Sequence, residues 1–363
     1  MFRFIVILSF LLPHLLFSQE ISKRLILIGD AGEMNKNQQL LIQSASKMTI
    51  AGQTNVYFLG DNIYPTGMGL DSKGKEEGIE ILKSQYEPFL TKNVRIHFLA
   101  GNHDWDRSGK YGFAKLKAQE EYFNNLNNED ISFVPQAGDI GPYVDSIADN
   151  LLTVIYDSEY WLFPHHGVSK QDSIEQSKII FLENLKSIAD KNIDKQFIVL
   201  SHHPMISYGE HALKFGFIDH IFPLTHVWKG AYLPLPIVGS LYPLVRSTIL
   251  HSPEELTHKK YKILIEGVTK SFENHPNVLF VSGHDHGLQF IVGQDVKQIV
   301  SGSGAKSSHI RSNKDLLYKY GNQGYTILDC YDDGHMVVQF FIVEREEVRK
   351  SFEYVLNKHV SNN

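Results

Sequence analysis

Cysteine is almost absent from this sequence: Cys330 is the single copy in 363 residues. That excludes an intrachain disulfide framework, a thiolate zinc site and an iron–sulfur cluster held by one chain. An excess of positive charge is missing too. With 35 Lys and Arg against 41 Asp and Glu the net charge is −6, which leaves no electrostatic footprint for nucleic acid. The chain has no internal repeat and no Ser/Gly linker, and Gly (27) and Pro (13) stay near ordinary usage, so collagen-like and low-complexity readings fall away. A content of 42% hydrophobic and 21% charged residues suits a globular protein with a large core. Histidine, by contrast, is plentiful at 18 copies. Any bound metal must therefore be held by imidazole, carboxylate, amide or phenolate.

Apolar runs long enough to cross a bilayer are lacking as well. The stretch from Phe4 to Phe17 falls short of the ~20 residues a spanning helix needs, and it contains Pro13 and His14. Behind Arg3 it reads as a signal peptide, residues 1–18, with cleavage after Ser18 and export to the periplasm or beyond. Residues 19–343 are expected to form one domain with an insertion at about 207–276, and the charged segment 344–363 a tail or helix. Inside the insertion, 230–245 is uncharged and holds Pro234, Pro236 and Pro243, so no regular spanning helix fits. A lid, or contact with a membrane or partner, is expected there.

What is present is a recurrent pattern. Short β-branched and aromatic runs, Leu25–Ile28, Val56–Leu59, Ile96–Ala100, Phe197–Leu200 and Val278–Val281, each end in a polar cluster. They read as buried strands. Helical patterns lie between them, over Gln38–Met48, Ser177–Ala189 and Pro253–Phe272. This alternation predicts an α/β fold with a largely parallel sheet, whose ligands bind at the carboxyl ends of the strands. The clusters there are Gly29-Asp30-Ala31-Gly32, Gly60-Asp61-Asn62-Ile63-Tyr64, Gly101-Asn102-His103-Asp104, Ser201-His202-His203 and Gly283-His284-Asp285-His286. Singly, several are ordinary turns. Jointly they supply carboxylates, an amide, a phenol and imidazoles enough for two metals sharing a carboxylate, a donor mixture that suits iron, manganese or zinc. Two cations ~4 Å apart can clamp the attacking and leaving oxygens of a phosphoryl transfer, with a metal-bridging hydroxide as nucleophile.

The ordered set Asp30-x-Gly32, Gly60-Asp61-x-x-Tyr64, Gly101-Asn102-His103-Asp104, Val199-x-x-His202 and Gly283-His284-x-His286 resembles the calcineurin-like metallophosphoesterases, from about Leu25 to about Ser303. Within them it is similar to the purple acid phosphatases of the small, tartrate-resistant type. The resemblance implies a four-layer fold, two packed mixed sheets flanked by helices. It implies a ferric ion on Asp30, Tyr64 and His286, a divalent iron, zinc or manganese on Asn102, His202 and His284, and Asp61 bridging them. It makes His103 the proton donor to the leaving group and His211 a second substrate-facing histidine, with Asp104 expected to orient His103. His203 departs from the small mammalian pattern, where a tyrosine stands, and is not expected to be a ligand. His165 and His166 read as surface residues and Asp157 as a turn residue. The glycine-rich turn Ser301–Gly304, ahead of Lys306 and His309, lacks P-loop spacing and is expected near the site rim.

The function so implied is an acid phosphatase acting on small phosphomonoesters. Alternatives are a phosphodiesterase or nucleotide pyrophosphohydrolase on the same site, a binding module with a vestigial site, and a redox role for an iron pair.

Overall fold

The computed structural model describes residues 20–163, 171–212 and 252–356. The signal-peptide expectation for 1–18, His165 and His166, and the apolar stretch 230–245 lie outside the described residues.

Strands β1 (Ile21–Ile28), β2 (Thr54–Phe58), β3 (Arg95–Phe98) and β4 (Ile131–Phe133) come first in the chain. Next are β5 (Tyr143–Ala148), β6 (Leu151–Ile155), β7 (Gln196–Leu200), β8 (Val278–Ser282), β9 (Leu288–Val292), β10 (Lys297–Ser301) and β11 (Leu316–Tyr320). Last are β12 (Gly324–Tyr331), β13 (Met336–Glu344) and β14 (Glu347–Leu356). They form two 7-stranded sheets, ordered β14-β13-β12-β1-β2-β3-β4 and β11-β9-β10-β8-β7-β6-β5. β1 to β4 run parallel, as do β6, β7, β8 and β10, and antiparallel strands close the rest. Both sheets are therefore mixed.

The strand runs are apolar at every position because both faces are buried. Leu25 and Leu27 of β1 pack between the sheets with Leu279, Val281 and Ile299. Ile26 and Ile28 face outward onto Leu41, Ile42 and Ala45 of α1 (Lys36–Lys47). Helices α2 (Ser72–Tyr86) and α3 (Gly112–Asn125) bury Leu82, Leu116 and Phe123 in the same outward-facing core. After the short α4 (Ser158–Leu162), α5 (Gln171–Lys191) and α6 (Lys259–Ser271) cover the second sheet through Phe181, Leu185, Tyr261 and Leu264. The result is the expected four-layer α/β arrangement.

Two expectations need correction. The charged segment after 343 is no tail or helix over its described part: Glu347–Leu356 is β14, an edge strand paired to β13. Arg345 and Glu346, with φ of 50° and 67°, make the tight turn that folds it back. An edge strand keeps one row of side chains in water, so its charges are compatible with a sheet while Val348 and Phe352 pack inward. The helix expected from Pro253 begins only at Lys259, where His258 Nδ1 caps the Lys260 N–H at 3.2 Å.

Candidate metal centre

The chain delivers every expected cluster to the same end of the parallel strands. Asp30 follows β1, Asp61 and Tyr64 follow β2, Asn102 and His103 follow β3, His202 follows β7, and His284 and His286 follow β8. The glycines that introduce these residues do more than turn the chain. A Cβ on Gly60 would lie 2.6 Å from His202 Nδ1, one on Gly101 2.3 Å from Asp61 Oδ1, and one on Gly283 2.6 Å from Asp30 Oδ2. Each glycine makes room for a polar side chain from another strand end. Asp30, Asp61 and His284 themselves stand at φ of 57°, 56° and 66°. That left-handed backbone costs a non-glycine residue about 1–2 kcal/mol, and strain of this kind clusters where side chains must be aimed.

Asp61 is the hub. Its Oδ2 accepts from the Tyr64 hydroxyl at 3.0 Å, and Tyr64 also lies 3.1 Å from Asp30 Oδ1 and 3.2 Å from His286 Nε2. One atom from each of Asp30, Asp61 and His286 falls within 4.8 Å of the others. On the opposite side, Asp61 Oδ1 lies 3.4 Å from His202 Nε2, which lies 3.0 Å from Asn102 Oδ1. His202 Nδ1 donates to the Leu59 carbonyl at 2.8 Å, so in the neutral ring Nε2 presents a lone pair to two more acceptors. His284 is 2% exposed, and among the described residues its Nε2 has no hydrogen-bond partner.

These donor sets fit cations. Without one, a single hydroxyl hydrogen serves the oxygens of Asp30 and Asp61, and burial plus those two carboxylates hold the Tyr64 pKa well above its usual value. Burial opposes a charged His202, but the Asp61 and Asp30 carboxylates outweigh it and raise its pKa, as they do for His286. His284 is driven the other way, by burial and by the neighbouring His211, His203 and His202 rings. A buried set of convergent lone pairs beside two carboxylates is what a positive ion stabilises.

The residues around this core fall into place one by one. His103 donates through Nδ1 to the Pro65 carbonyl at 2.6 Å, and its Nε2 faces Asp61 Oδ2 at 3.8 Å. His211 is brought in as well: its ring centroid is 4.0 Å from that of His284, and its N–H donates to Asp285 Oδ1 at 3.1 Å. Asp104 does not orient His103. Its carboxylate turns back to accept the Gly101 N–H at 2.8 Å, the Asn62 N–H at 3.1 Å and the Asn62 amide at 3.1 Å. Adjacent residues of a tight turn point to opposite sides, and His103 takes its partner from Pro65 instead. His203 is fully buried between the Ser158 hydroxyl, 2.8 Å from Nδ1, and the His284 ring. Asp157 caps α4 and accepts from Trp105 Nε1 at 2.8 Å, as a turn residue should. The glycine-rich turn after β10 packs under the site: a Cβ on Gly302 would meet Asp30 Oδ2 at 2.9 Å.

Residues 23–288 match the sequence profile of the calcineurin-like phosphoesterases. The chain belongs to the calcineurin-like phosphoesterase family. No curated protein matches it by sequence. Among solved structures, GAP50, the anchor in the inner membrane complex of Plasmodium, is 16% identical with a TM-score of 0.53, over 94% of this chain and 91% of that one. Purple acid phosphatase PPD1 from yellow lupin (Lupinus luteus) seeds is 15% identical with a TM-score of 0.52, over 91% of this chain and 53% of that one. At these identities both show the fold alone.

This phosphoesterase also brings in a residue that the sequence gives no reason to select. Glu254, in the stretch just before α6, lies beside the Asn102 side chain and within the electrostatic reach of Asp61, His202 and Arg107. Burial first, then Asp61, raises its pKa. Its segment has no strand-end signature, so only the folded chain reveals its place.

Proposed function

We propose that this phosphoesterase is a metal-dependent phosphoric monoester hydrolase of the acid phosphatase type. The observation that carries the reading is the position of Asp61, one oxygen against Tyr64 of the Asp30–Tyr64–His286 set and the other against His202, which bonds Asn102 and packs on the His284 ring. Asp30, Tyr64 and His286 would hold one cation, and Asn102, His202 and His284 the other, with Asp61 shared. Carboxylate and phenol oxygens suit ferric iron, and the imidazole-rich set suits divalent iron, zinc or manganese. When bound, such a pair neutralises charge on a phosphoryl group and acidifies a water.

The chain's own residues supply the remaining chemistry. His103, with Nδ1 committed to Pro65, keeps Nε2 as the nitrogen that hands a proton to the departing oxygen. His211, against His284, stands ready as a second donor to the substrate. Asp104 fixes the Gly101 and Asn62 backbone and so holds two ligand loops in register. A vestigial binding module, the reading suggested by a neighbour named as an anchor, is opposed by the completeness of the donor set.

The test is metal content together with hydrolysis of a monoester and a diester of the same phenol. We expect two metals per chain, monoester turnover above diester turnover, and loss of both metals and nearly all activity in Asp61→Ala. Metal-free protein grown with ample iron, zinc and manganese refutes the centre. Diester preference refutes the monoesterase assignment while leaving the centre intact.

A further inference from the structure

The centre opens on one side into a cleft of about 670 Å³. Among the described residues His103, Tyr64 and His286 line it on the side of the centre, and Met34, Pro65 and Ile81 supply its apolar walls. These walls offer little to a phosphate dianion, which needs donors. Lys306, at the rim, is already committed: it is paired with Glu33 and sits 4.5 Å over the Tyr64 ring. Met34 is 44% exposed although it could have been any polar residue in so open a position. Direction follows from His103. Its Nδ1 is bonded to the carbonyl of Pro65, itself a wall residue, so the proton-giving edge lies on the centre's side of the apolar cleft. A departing oxygen must sit against that edge, and the group it carries then extends between Met34 and Ile81.

We propose that this cleft is the leaving-group subsite and that it selects phosphoric esters of planar, apolar alcohols, with Met34 and Ile81 as specificity-determining residues. The assignment rests on the hydrolase reading above. A methionine wall adapts to a ring and makes favourable sulfur–aromatic contacts, which suits aryl groups better than polyols. One fused ring of added apolar contact should then be worth on the order of tenfold in kcat/KM.

The experiment uses the metal-loaded full chain. The ratio of kcat/KM for 2-naphthyl phosphate over phenyl phosphate is measured in the wild type and in Met34→Ser, a substitution at an exposed position that leaves the core untouched. Calorimetric titration with phenylphosphonate and methylphosphonate gives a second reading that needs no turnover. A ratio near ten that falls to about two or less in Met34→Ser, with tighter binding of phenylphosphonate by wild type alone, supports the subsite. A ratio near one, or one that Met34→Ser leaves unchanged, overturns it. If neither ester is hydrolysed yet phenylphosphonate is preferred and the preference needs Met34, the subsite stands and the hydrolase reading fails.

Discussion

Replacing Asp104 by Ala and by Asn should separate a scaffold carboxylate from a catalytic one. The carboxylate is fully buried and receives the Gly101 N–H, the Asn62 N–H and the Asn62 side-chain amide. The amide keeps a second partner, the Leu99 carbonyl at 2.6 Å, whereas among the described residues the two backbone donors make no other bond. A buried donor left unmade costs ~1–3 kcal/mol, so Asp104→Ala should lose about 3–5 kcal/mol of unfolding free energy. Asparagine is different. All three donors reach Oδ2, at 2.8, 3.2 and 3.1 Å, so an amide oxygen placed there keeps them. Burial and nearby Asp61 also push the Asp104 carboxyl up to about 7, so a neutral side chain suits the site, and we expect Asp104→Asn to cost less than about 1.5 kcal/mol. Urea unfolding read by tryptophan fluorescence, with chelator present so that metal affinity does not mask the difference, measures both. An Ala cost below about 1 kcal/mol, or equal costs for Ala and Asn, refutes the scaffold role. A shift in the acid limb of the pH–rate profile in Asp104→Asn would restore a direct role toward His103.

Three further outcomes are expected. His103→Ala should keep its metals while kcat on phenyl phosphate falls by ~10²–10⁴, and by far less on 4-nitrophenyl phosphate, whose phenolate leaves without a proton; loss of metal on this substitution would make His103 a ligand rather than a donor. Iron-loaded protein should absorb in the visible through the Tyr64 phenolate, and Tyr64→Phe should be colourless with iron retained; a colourless wild type containing zinc or manganese removes ferric iron from the assignment. Acid stability is set in part by His97, stacked on Tyr57 at 5.1 Å, whose pKa burial lowers from 6.5 to about 4. Because the folded value is the lower one, folding favours the neutral ring, and stability is lost as pH falls from 6.5 toward 4. At 1.36 kcal/mol per pH unit the loss approaches ~2 kcal/mol at pH 5. Denaturant unfolding of the metal-loaded wild type and of His97→Gln at pH 7 and pH 5 should show the smaller pH effect in the variant, and equal effects would discharge His97.

The legible part of this protein is the part where a backbone rule and a chemical requirement coincide. Strands buried on both faces read as apolar runs, and that rule alone gives β2, β3, β7 and β8 to within about two residues of their observed bounds, whereas β1 starts four residues ahead of its apolar run, at Ile21, because Ser22, Lys23 and Arg24 are polar and only half-buried. The edge strand β14 escapes that rule, because half its side chains face water and its charges imitate a tail or helix. The start of α6 is hidden for a related reason: Pro253 looks like a first-turn proline, yet the chain makes turns until His258 caps the helix. Adjacency suggests that Asp104 orients His103, because sequence alone conceals which way a turn residue points.

The candidate metal centre is readable for a deeper reason than motif matching. A ligand that must reach a point shared by several strand ends needs neighbouring backbones to approach within van der Waals contact, and only glycine permits that. Gly60 lies against His202, Gly101 against Asp61, and Gly283 and Gly302 against Asp30, so each Gly-polar pair in the sequence records a contact between different strands. A surface turn would need the glycine for its φ, but among these four only Gly60, at 93°, has a positive one. Steric demand from another loop therefore explains the repeated signature, and it ties the clusters to one another before any metal is considered. Glu254 reaches Asn102 from a segment with no such approach, and its side chain leaves no trace in the sequence around it. The same logic separates the two faces of the site. Its floor is fixed by glycine-permitted contacts and is written into the chain, whereas the cleft beyond His103 is walled by Met34 and Ile81, residues a sequence can change without moving a ligand. On the proposed reading, substitution at Met34 or Ile81 should alter substrate preference while leaving metal content unchanged.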